Sequence, residues 1–495
     1  MERIEQWNRF ELSLEGPSGG NPFVEVDLEV DAVLGNRTVT VRGFYDDEGR
    51  YLARFMPDAP GVWRYRTRSS VPGLDGVSGE FEVAPAGGGS ATGNSSRDGG
   101  TGGRAAPNHG PVEAVGTRLA YGDGTPYVPV GTTCYAWLHQ PRELRDRTID
   151  TLAEAPFTKI RMCLFPKHYR YNHNEPERFV FPGSLAEGFD FERFDPAFFA
   201  DLEFELDRLQ TLGIEADLIL FHPYDRWGFQ ELSEEVEERY LRYTIARLAS
   251  FRNVWWSMAN EWDLFKVKTV QDFHRYFRIV QAEDPYAHLR SGHNCRPFYD
   301  HALPWVTHAS VQHSDTARTD EWRRQYGKPI VIDECCYEGD IPEGWGCITG
   351  RELVARQWRA VIRGGWPGAH GETYYNDDEI LWWSKGGSLT GEAPARIAFM
   401  RRVLEEAPLE RLVPSDSKWS PHLATREGDY ILHYLDVSRP SWREYTLPEG
   451  RSYHVDVIDT WEMTVTTLDA PVSGTARVSL PAKEHQAIRF RARTD

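Results

Sequence analysis

The sequence predicts an α/β protein: a central (β/α)8 barrel with an N-terminal β-sandwich and a small C-terminal antiparallel β-domain. Three observations carry this. At 495 residues the chain is longer than one hydrophobic core organises. Strict alternation of apolar and polar residues marks both ends. Between about 112 and 405, eight short apolar runs alternate with helical segments, as strand–helix units of a barrel do. An open doubly wound sheet is the structural alternative, but no Gly-rich phosphate-binding turn follows any of the runs.

Residues 1–85 read as the sandwich. Val24, Val26, Leu28 and Val30 alternate with Glu25, Asp27, Glu29 and Asp31. Trp63, Tyr65 and Thr67 alternate with Arg64, Arg66 and Arg68, Phe81 and Val83 close the segment, and Asp47-Glu48-Gly49 supplies a turn. Residues 86–110 (AGGGSATGNSSRDGGTGGRAAPNHG) are rich in Gly and Ser, which predicts a flexible tether spanning roughly 25–30 Å. The barrel is expected over 111–408, with strands at 127–133, 157–164, 214–221, 253–260, 288–293, 305–311, 328–333 and 368–374. Pro196 to Leu212 illustrates its helices, with Pro at the start and Gly213 just past the end. Residues 409–495 return to alternation, as in Tyr430-Ile431-Leu432-His433-Tyr434.

The totals exclude some partners. A formal charge of -19, from 75 acidic against 56 basic residues, disfavours nucleic acid and suits a neutral substrate better. With 17 Trp, 22 Tyr and 24 Phe the chain has aromatic faces to spare for a sugar cleft, although core packing accounts for most of them. No run approaches the roughly 18 apolar residues of a membrane span. Met1-Glu2-Arg3-Ile4-Glu5 opens without an apolar stretch to follow, so a cytoplasmic protein is expected. The cysteines at 134, 163, 295, 335, 336 and 347 are read as free thiols, since adjacent Cys335 and Cys336 are poorly placed to bridge each other.

Two segments carry the chemistry. Trp255-Trp256-Ser257-Met258-Ala259-Asn260-Glu261 and Pro329-Ile330-Val331-Ile332-Asp333-Glu334 are the fourth and seventh strand candidates, and each ends in a glutamate. Strands four and seven face each other across an eight-stranded barrel, whose chemistry sits at the carboxyl ends of its strands. Two opposed carboxylates, one protonated and one ionised, are what cleavage of a glycosidic bond requires. A lone glutamate at a strand end more often caps a helix or pairs with arginine; two at these positions favour catalysis. Asp333 alternates away from Glu334 and receives no catalytic role, and Glu338 is held in reserve. His222, Tyr224 and Asp225 lie together beyond strand three, which favours a binding site over a loop bonded to itself. Glu372 is read as either a sugar contact or the partner of Lys385. Adjacent Trp382 and Trp383 should point apart, one to the site and one into packing. His293, Cys295, His301, His308, His313 and Cys347 match no tight ligand spacing, so neither metal nor cofactor is expected.

With these residues in place, Asn260-Glu261 and Glu334 resemble the clan A retaining glycoside hydrolases. That resemblance implies Glu261 as acid/base, Glu334 as nucleophile, Arg161 in contact with the nucleophile, and His222 on the sugar. It also implies a site role for His293 at the end of strand five and a tryptophan floor from Trp382 or Trp383. The whole chain is similar to bacterial proteins with an apiosidase-like barrel between two β-domains. Phe55-Met56-Pro57, Gly61-Val62-Trp63-Arg64-Tyr65, His222-Pro223-Tyr224-Asp225-Arg226-Trp227, Asn253-Val254-Trp255-Trp256 and Leu381-Trp382-Trp383-Ser384-Lys385-Gly386-Gly387 carry the likeness. One departure stands out: Ser310-Val311-Gln312-His313 lacks the tyrosine expected on strand six, a place for Tyr337 or Gln312 to fill. The expected activity is exo-acting hydrolysis of short oligosaccharides or glycosides with retention, the pocket closed by segments 165–195 and 337–350. A transglycosylase using the same pair and a non-catalytic carbohydrate-binding protein are the rivals. The β-domains are expected to pack on the barrel or to join copies of the chain as a homo-oligomer.

Overall fold

Eight short parallel strands end on one rim, and their sequences explain why. They are β1 (Gly131–Thr133), β2 (Lys159–Cys163), β3 (Glu215–Ile219) and β4 (Val254–Ser257), followed by β5 (Arg290–Ser291), β6 (Ala309–Gln312), β7 (Ile330–Glu334) and β8 (Trp366–Pro367). Every residue of β2, β3 and β4 is buried, as in strands covered on both faces. The computed structural model describes residues 1–87 and 105–493. In it, β1 to β5 form one parallel ladder and β6 to β8 a second. Single backbone hydrogen bonds link the two arcs, Thr307 N–H to Arg290 O at 3.0 Å and Thr133 N–H to His370 O at 3.0 Å.

Strand eight differs from its sequence reading. It occupies 366–367 rather than 368–374, because Pro367 has no N–H to extend the ladder. Glu372–Thr373 pairs instead with Glu338–Gly339, in a small parallel sheet beside the rim. Glycine allows the arcs to meet: a methyl group at Gly131 would lie 2.4 Å from the Gly368 carbonyl oxygen. Helix α1 (Pro196–Leu212) has Asp195 as its N-cap, accepting from Ala197 N–H, and ends on Gly213 in the left-handed conformation, φ 73°.

The N-terminal region is two antiparallel-rich sheets of five and three strands sharing a core of Phe10, Val30, Phe55, Trp63 and Phe81. Val24 and Val26 are outside it. Pro22–Glu25 forms a helical turn opened by proline, so the strand begins at Leu28. Of the tether read over 86–110, residues 88–104 lie outside the described residues. Its described ends are bonded: Gly87 N–H to Glu5 Oε1 at 2.7 Å, Ala106 N–H to Thr211 O at 2.9 Å, and Asn108 Nδ2–H to Gln6 O at 2.8 Å. The C-terminal region has sheets of six and two antiparallel strands around Tyr453, Val455, Val478, Ile488 and Phe490. Arg359 to Asp436, at 2.8 Å, ties it to the barrel. No helix among the described residues is long and apolar enough to cross a membrane, and all six cysteines are free.

The N-terminal sheets meet the barrel through buried charge. Arg247, on α2 (Glu234–Leu248), donates to Glu203 at 2.7 Å and Asp46 at 2.8 Å, while Arg54 donates to Glu203 at 2.9 Å. Burial raises the cost of the Glu203 anion, but the two guanidinium groups outweigh it and hold the carboxyl down at about 2. Its unfolded value lies near 4.3, so this contribution is present above that pH and lost as pH falls toward about 2. Arg247→Met should cost about 3 kcal/mol and move acid unfolding to higher pH. Urea melts at pH 7 and pH 4 measure both effects.

Candidate active site

The two glutamates are brought into one pocket at the rim. Glu261 directly follows β4's extension and is buried, its backbone in the left-handed region at φ 51°. A non-glycine residue there is strained, which orients its side chain at a cost of order 1 kcal/mol or more. Tyr224 O–H donates to Glu261 Oε2, and Asn260 Nδ2–H donates to the same oxygen at 3.3 Å. Glu334 ends β7. Tyr135 O–H donates to its Oε1, and His293 Nε2 lies 3.4 Å from that oxygen. His293 is held in turn by Gln312 Oε1 at 3.0 Å and Ser310 Oγ at 3.1 Å.

These surroundings push the carboxyl groups apart. Burial, and then the neighbouring negative charge of Glu334, raise Glu261 above the ordinary carboxylate range. Glu334 is lowered despite burial, because His293, Tyr135 and Arg161 favour its anion. Between the two displaced values Glu261 is protonated while Glu334 is ionised, the division that paired acid and nucleophile chemistry needs.

Several sequence assignments change. Arg161 does not touch Glu334; its Nη1 donates to Tyr135 Oη at 3.4 Å and its Nε sits 3.3 Å from Asp217, so it reaches Glu334 through a phenol. The tyrosine missing from strand six is supplied by Tyr135, just beyond β1. Tyr337 stands behind it, hydroxyl to hydroxyl at 3.4 Å, and Gln312 serves His293. His222 is spent locally: Nε2–H donates to Phe165 O at 3.0 Å and Nδ1 accepts Tyr224 N–H at 3.2 Å. Burial holds it neutral, its pKa down at about 3. Asp225 accepts from Trp227 N–H and Gln230 N–H, both at 2.8 Å, and so shapes the loop that carries Tyr224. Trp382 donates to Thr132 Oγ1 at 2.8 Å inside the barrel, whereas Trp383 faces the site beside Tyr135, Tyr169 and Trp345.

Glu372 belongs elsewhere. It accepts from Thr390 N–H at 2.7 Å and Gly391 N–H at 2.9 Å, ahead of helix α3 (Ala393–Glu405), and no bond to Lys385 forms among the described residues. Glu338 accepts from Glu392 N–H and Ala393 N–H at 2.6 and 3.0 Å. With His370 these two bring three possible ligand atoms within 4.8 Å of one another, the nearest approach to a metal set among the described residues. Hydrogen bonds cover part of this set: Glu372 Oε2 and both Glu338 oxygens accept backbone N–H groups, and His370 Nδ1 lies 2.9 Å from Thr132 Oγ1. His370 Nε2 and Glu372 Oε1, 3.6 Å apart, are buried without a hydrogen-bond partner among the described residues.

Sequence reasoning missed Tyr135, Lys167, Tyr169 and Trp345, and it weighed Cys295 only as a metal ligand or free thiol. Tyr135 could have been found, since it lies two residues past a predicted strand. Lys167, Tyr169 and Trp345 sit in long loops, where spacing gives no direction. Cys295 Sγ approaches Glu261, and burial followed by that charge pushes its thiol up to about 12.

Comparison with known proteins now has a site to refer to. The fold places Asn260-Glu261 just beyond β4 and Glu334 at the end of β7. Residues 114–439 match the family described as apiosidase-like, catalytic domain, and the chain belongs to it. Residues 3–70 and 419–491 match two families described as domains of unknown function, DUF5060 and DUF5605. A candidate glycoside hydrolase from Bacteroides vulgatus ATCC 8482 is 36% identical over 100% of both chains, with a TM-score of 0.90. A glycoside hydrolase family 5 protein from the same organism is 12% identical over 77% of this chain and 94% of its own, TM-score 0.59, a likeness of fold. None of the curated proteins matches. By its family the chain is an enzyme of the glycoside hydrolase class.

Glu372→Ala should strand the N–H groups of Thr390 and Gly391 and cost about 2–3 kcal/mol. Glu372→Gln, which keeps one acceptor oxygen, should recover part of it; urea unfolding of both variants decides.

Proposed function

We propose that the protein is a retaining glycoside hydrolase, with Glu334 as nucleophile and Glu261 as acid/base. The observation that carries this is the pair of rim carboxyls with different partners, Tyr135 and His293 at Glu334 and Tyr224 and Asn260 at Glu261, which displace the two pKa values in opposite directions. In the first step a Glu334 oxygen bonds to the anomeric carbon as the bond to the leaving oxygen breaks, and Glu261 gives that oxygen its proton. In the second, Glu261 takes a proton from water, the water oxygen bonds to the anomeric carbon, and Glu334 is released. Tyr135 and His293 hold the nucleophile's oxygen in place and favour its ionised form before attack. Tyr224 and Asn260 orient Glu261.

Exo action on short oligosaccharides or glycosides is part of the proposal. It is supported by the meeting of two long loops at the rim, where Tyr171 O–H donates to Glu343 at 2.9 Å, Arg170 pairs with the same carboxylate, and Tyr169 lies against Trp345. Such a clasp closes one end of a cleft.

Variants separate the two glutamates. Glu334→Gly should abolish turnover of every substrate, and azide should rescue it with an inverted product. Glu261→Ala should lose about 10²–10⁴-fold with sugar leaving groups and far less in the glycosylation step with dinitrophenolate. Azide should accelerate that variant and give a glycosyl azide of retained configuration. Retained product from Glu334→Gly would reverse the assignment.

The pH profile gives an independent reading. The low-pH limb belongs to Glu334, which must be ionised, and the high-pH limb to Glu261, which must be protonated. Tyr135→Phe removes a donor from the Glu334 anion, so its pKa rises and the low-pH limb should move up. Tyr224→Phe should likewise move the high-pH limb up. Profiles of kcat/KM for the three proteins test both signs.

A further inference from the structure

Lys167 is a buried cation that the mechanism above does not use. It follows β2 on the loop Phe165-Pro166-Lys167-His168-Tyr169 and is 4% exposed. Its ammonium is enclosed by ring faces: Nζ lies 3.9 Å from the centroid of Tyr135, 4.4 Å from Tyr224, 5.1 Å from Trp383 and 5.4 Å from Tyr169. Two of these tyrosines are the ones that hold the glutamates, Tyr135 on Glu334 and Tyr224 on Glu261. Lys167 therefore stands in the catalytic pocket, and its charge is felt by both carboxyls.

Among the described residues no carboxylate lies within ion-pair distance of it, although Glu261 and Glu334 are near enough to feel its charge. Nζ forms no hydrogen bond or ion pair with any described residue, while the oxygens of Glu261 and Glu334 are bonded to other donors. Ring faces attract an ammonium but accept none of its N–H bonds in full, so three donors remain for whatever enters. A cation beside the anomeric centre also opposes the positive charge that develops on a sugar ring as its glycosidic bond breaks. A substrate that brings its own negative charge removes both penalties, because it pairs the ammonium before the ring becomes positive.

We propose that the glycone is an acidic sugar and that Lys167 receives its carboxylate. This rests on the hydrolase reading above and names the substrate class for it. The carboxylate lies between Tyr135, Tyr224 and Trp383, whose rings form the walls of the subsite, and the sugar ring extends from there toward Glu334. The acidic surface of the protein, at -19 overall, does not oppose this, since the Lys167 ammonium stands inside the site and surface charges beyond about 10 Å are screened.

The test compares nitrophenyl glucuronide and galacturonide with the matching glucoside and galactoside, in the wild type and in Lys167→Met and Lys167→Gln. The wild type should favour one uronide over its neutral partner by at least about 10-fold in kcat/KM, the margin of one unpaired charge contact. Both variants should collapse that ratio to unity or below, mainly through KM. A wild type that prefers the neutral glycosides, or variants that lower both classes by the same factor, would overturn the proposal. Calorimetric titration with free glucuronate and galacturonate, against glucose and galactose, runs in parallel. It should give binding that needs the carboxylate and Lys167, and absence of such binding overturns the proposal even for an active enzyme. Binding of uronate by a wild type that cleaves none of the four glycosides keeps Lys167 in its role and makes the hydrolase reading the part that failed. Melting curves of both variants establish that they are folded.

Discussion

In the interior of the barrel a lysine and an arginine share two aspartates. Lys159 Nζ lies 2.8 Å from Asp217 on β3 and 2.8 Å from Asp333 on β7, and Arg161 Nε lies 3.3 Å from Asp217. Each ion loses several kcal/mol of hydration there, so the cluster is tolerable only with its charges balanced and its geometry fixed. That requirement sets the register of β2, β3 and β7 relative to one another. It also propagates toward the rim. Asp333 accepts Ser310 Oγ–H at 2.5 Å, and the same Oγ lies 3.1 Å from His293 Nδ1, which holds the ring with its other nitrogen toward Glu334. Arg161, anchored below, steadies Tyr135 above.

Those chains of contact explain what was legible in the sequence. The meeting of Glu261 and Glu334 at one rim was legible because both follow facing strands, and two carboxyls so placed outweigh the capping or ion-pair use of a lone glutamate. Seven of the eight strand positions followed from runs of apolar residues for the same reason. Strand eight was misplaced because burial alone does not say where a ladder stops, and Pro367 stopped it early. Asp333 looked inert by alternation, and it touches no reacting atom; its part lies one residue deeper, through Ser310.

The loops were less readable. His222 and Asp225 looked like ligands for sugar because they cluster with Tyr224 in sequence. In the structure they are the means by which Tyr224 is held, each bonded to backbone N–H or C=O within the loop or to its neighbour. Polar side chains beyond a strand identify a shaped loop, and only contacts identify which member faces the substrate. Lys167 was invisible for the opposite reason: nothing periodic surrounds it, and its importance arises from rings on three separate loops converging on one nitrogen.

Glu261 sits on left-handed backbone, a conformation that asparagine and glycine adopt with less strain. Its side chain is also a buried acid whose neighbours are arranged around it. Exchange of this residue for asparagine would therefore relax the chain while removing the acid. The rim holds a carboxyl in a backbone conformation that folding alone does not favour, so at this one position the stability of the chain and the chemistry of the pocket pull in opposite directions.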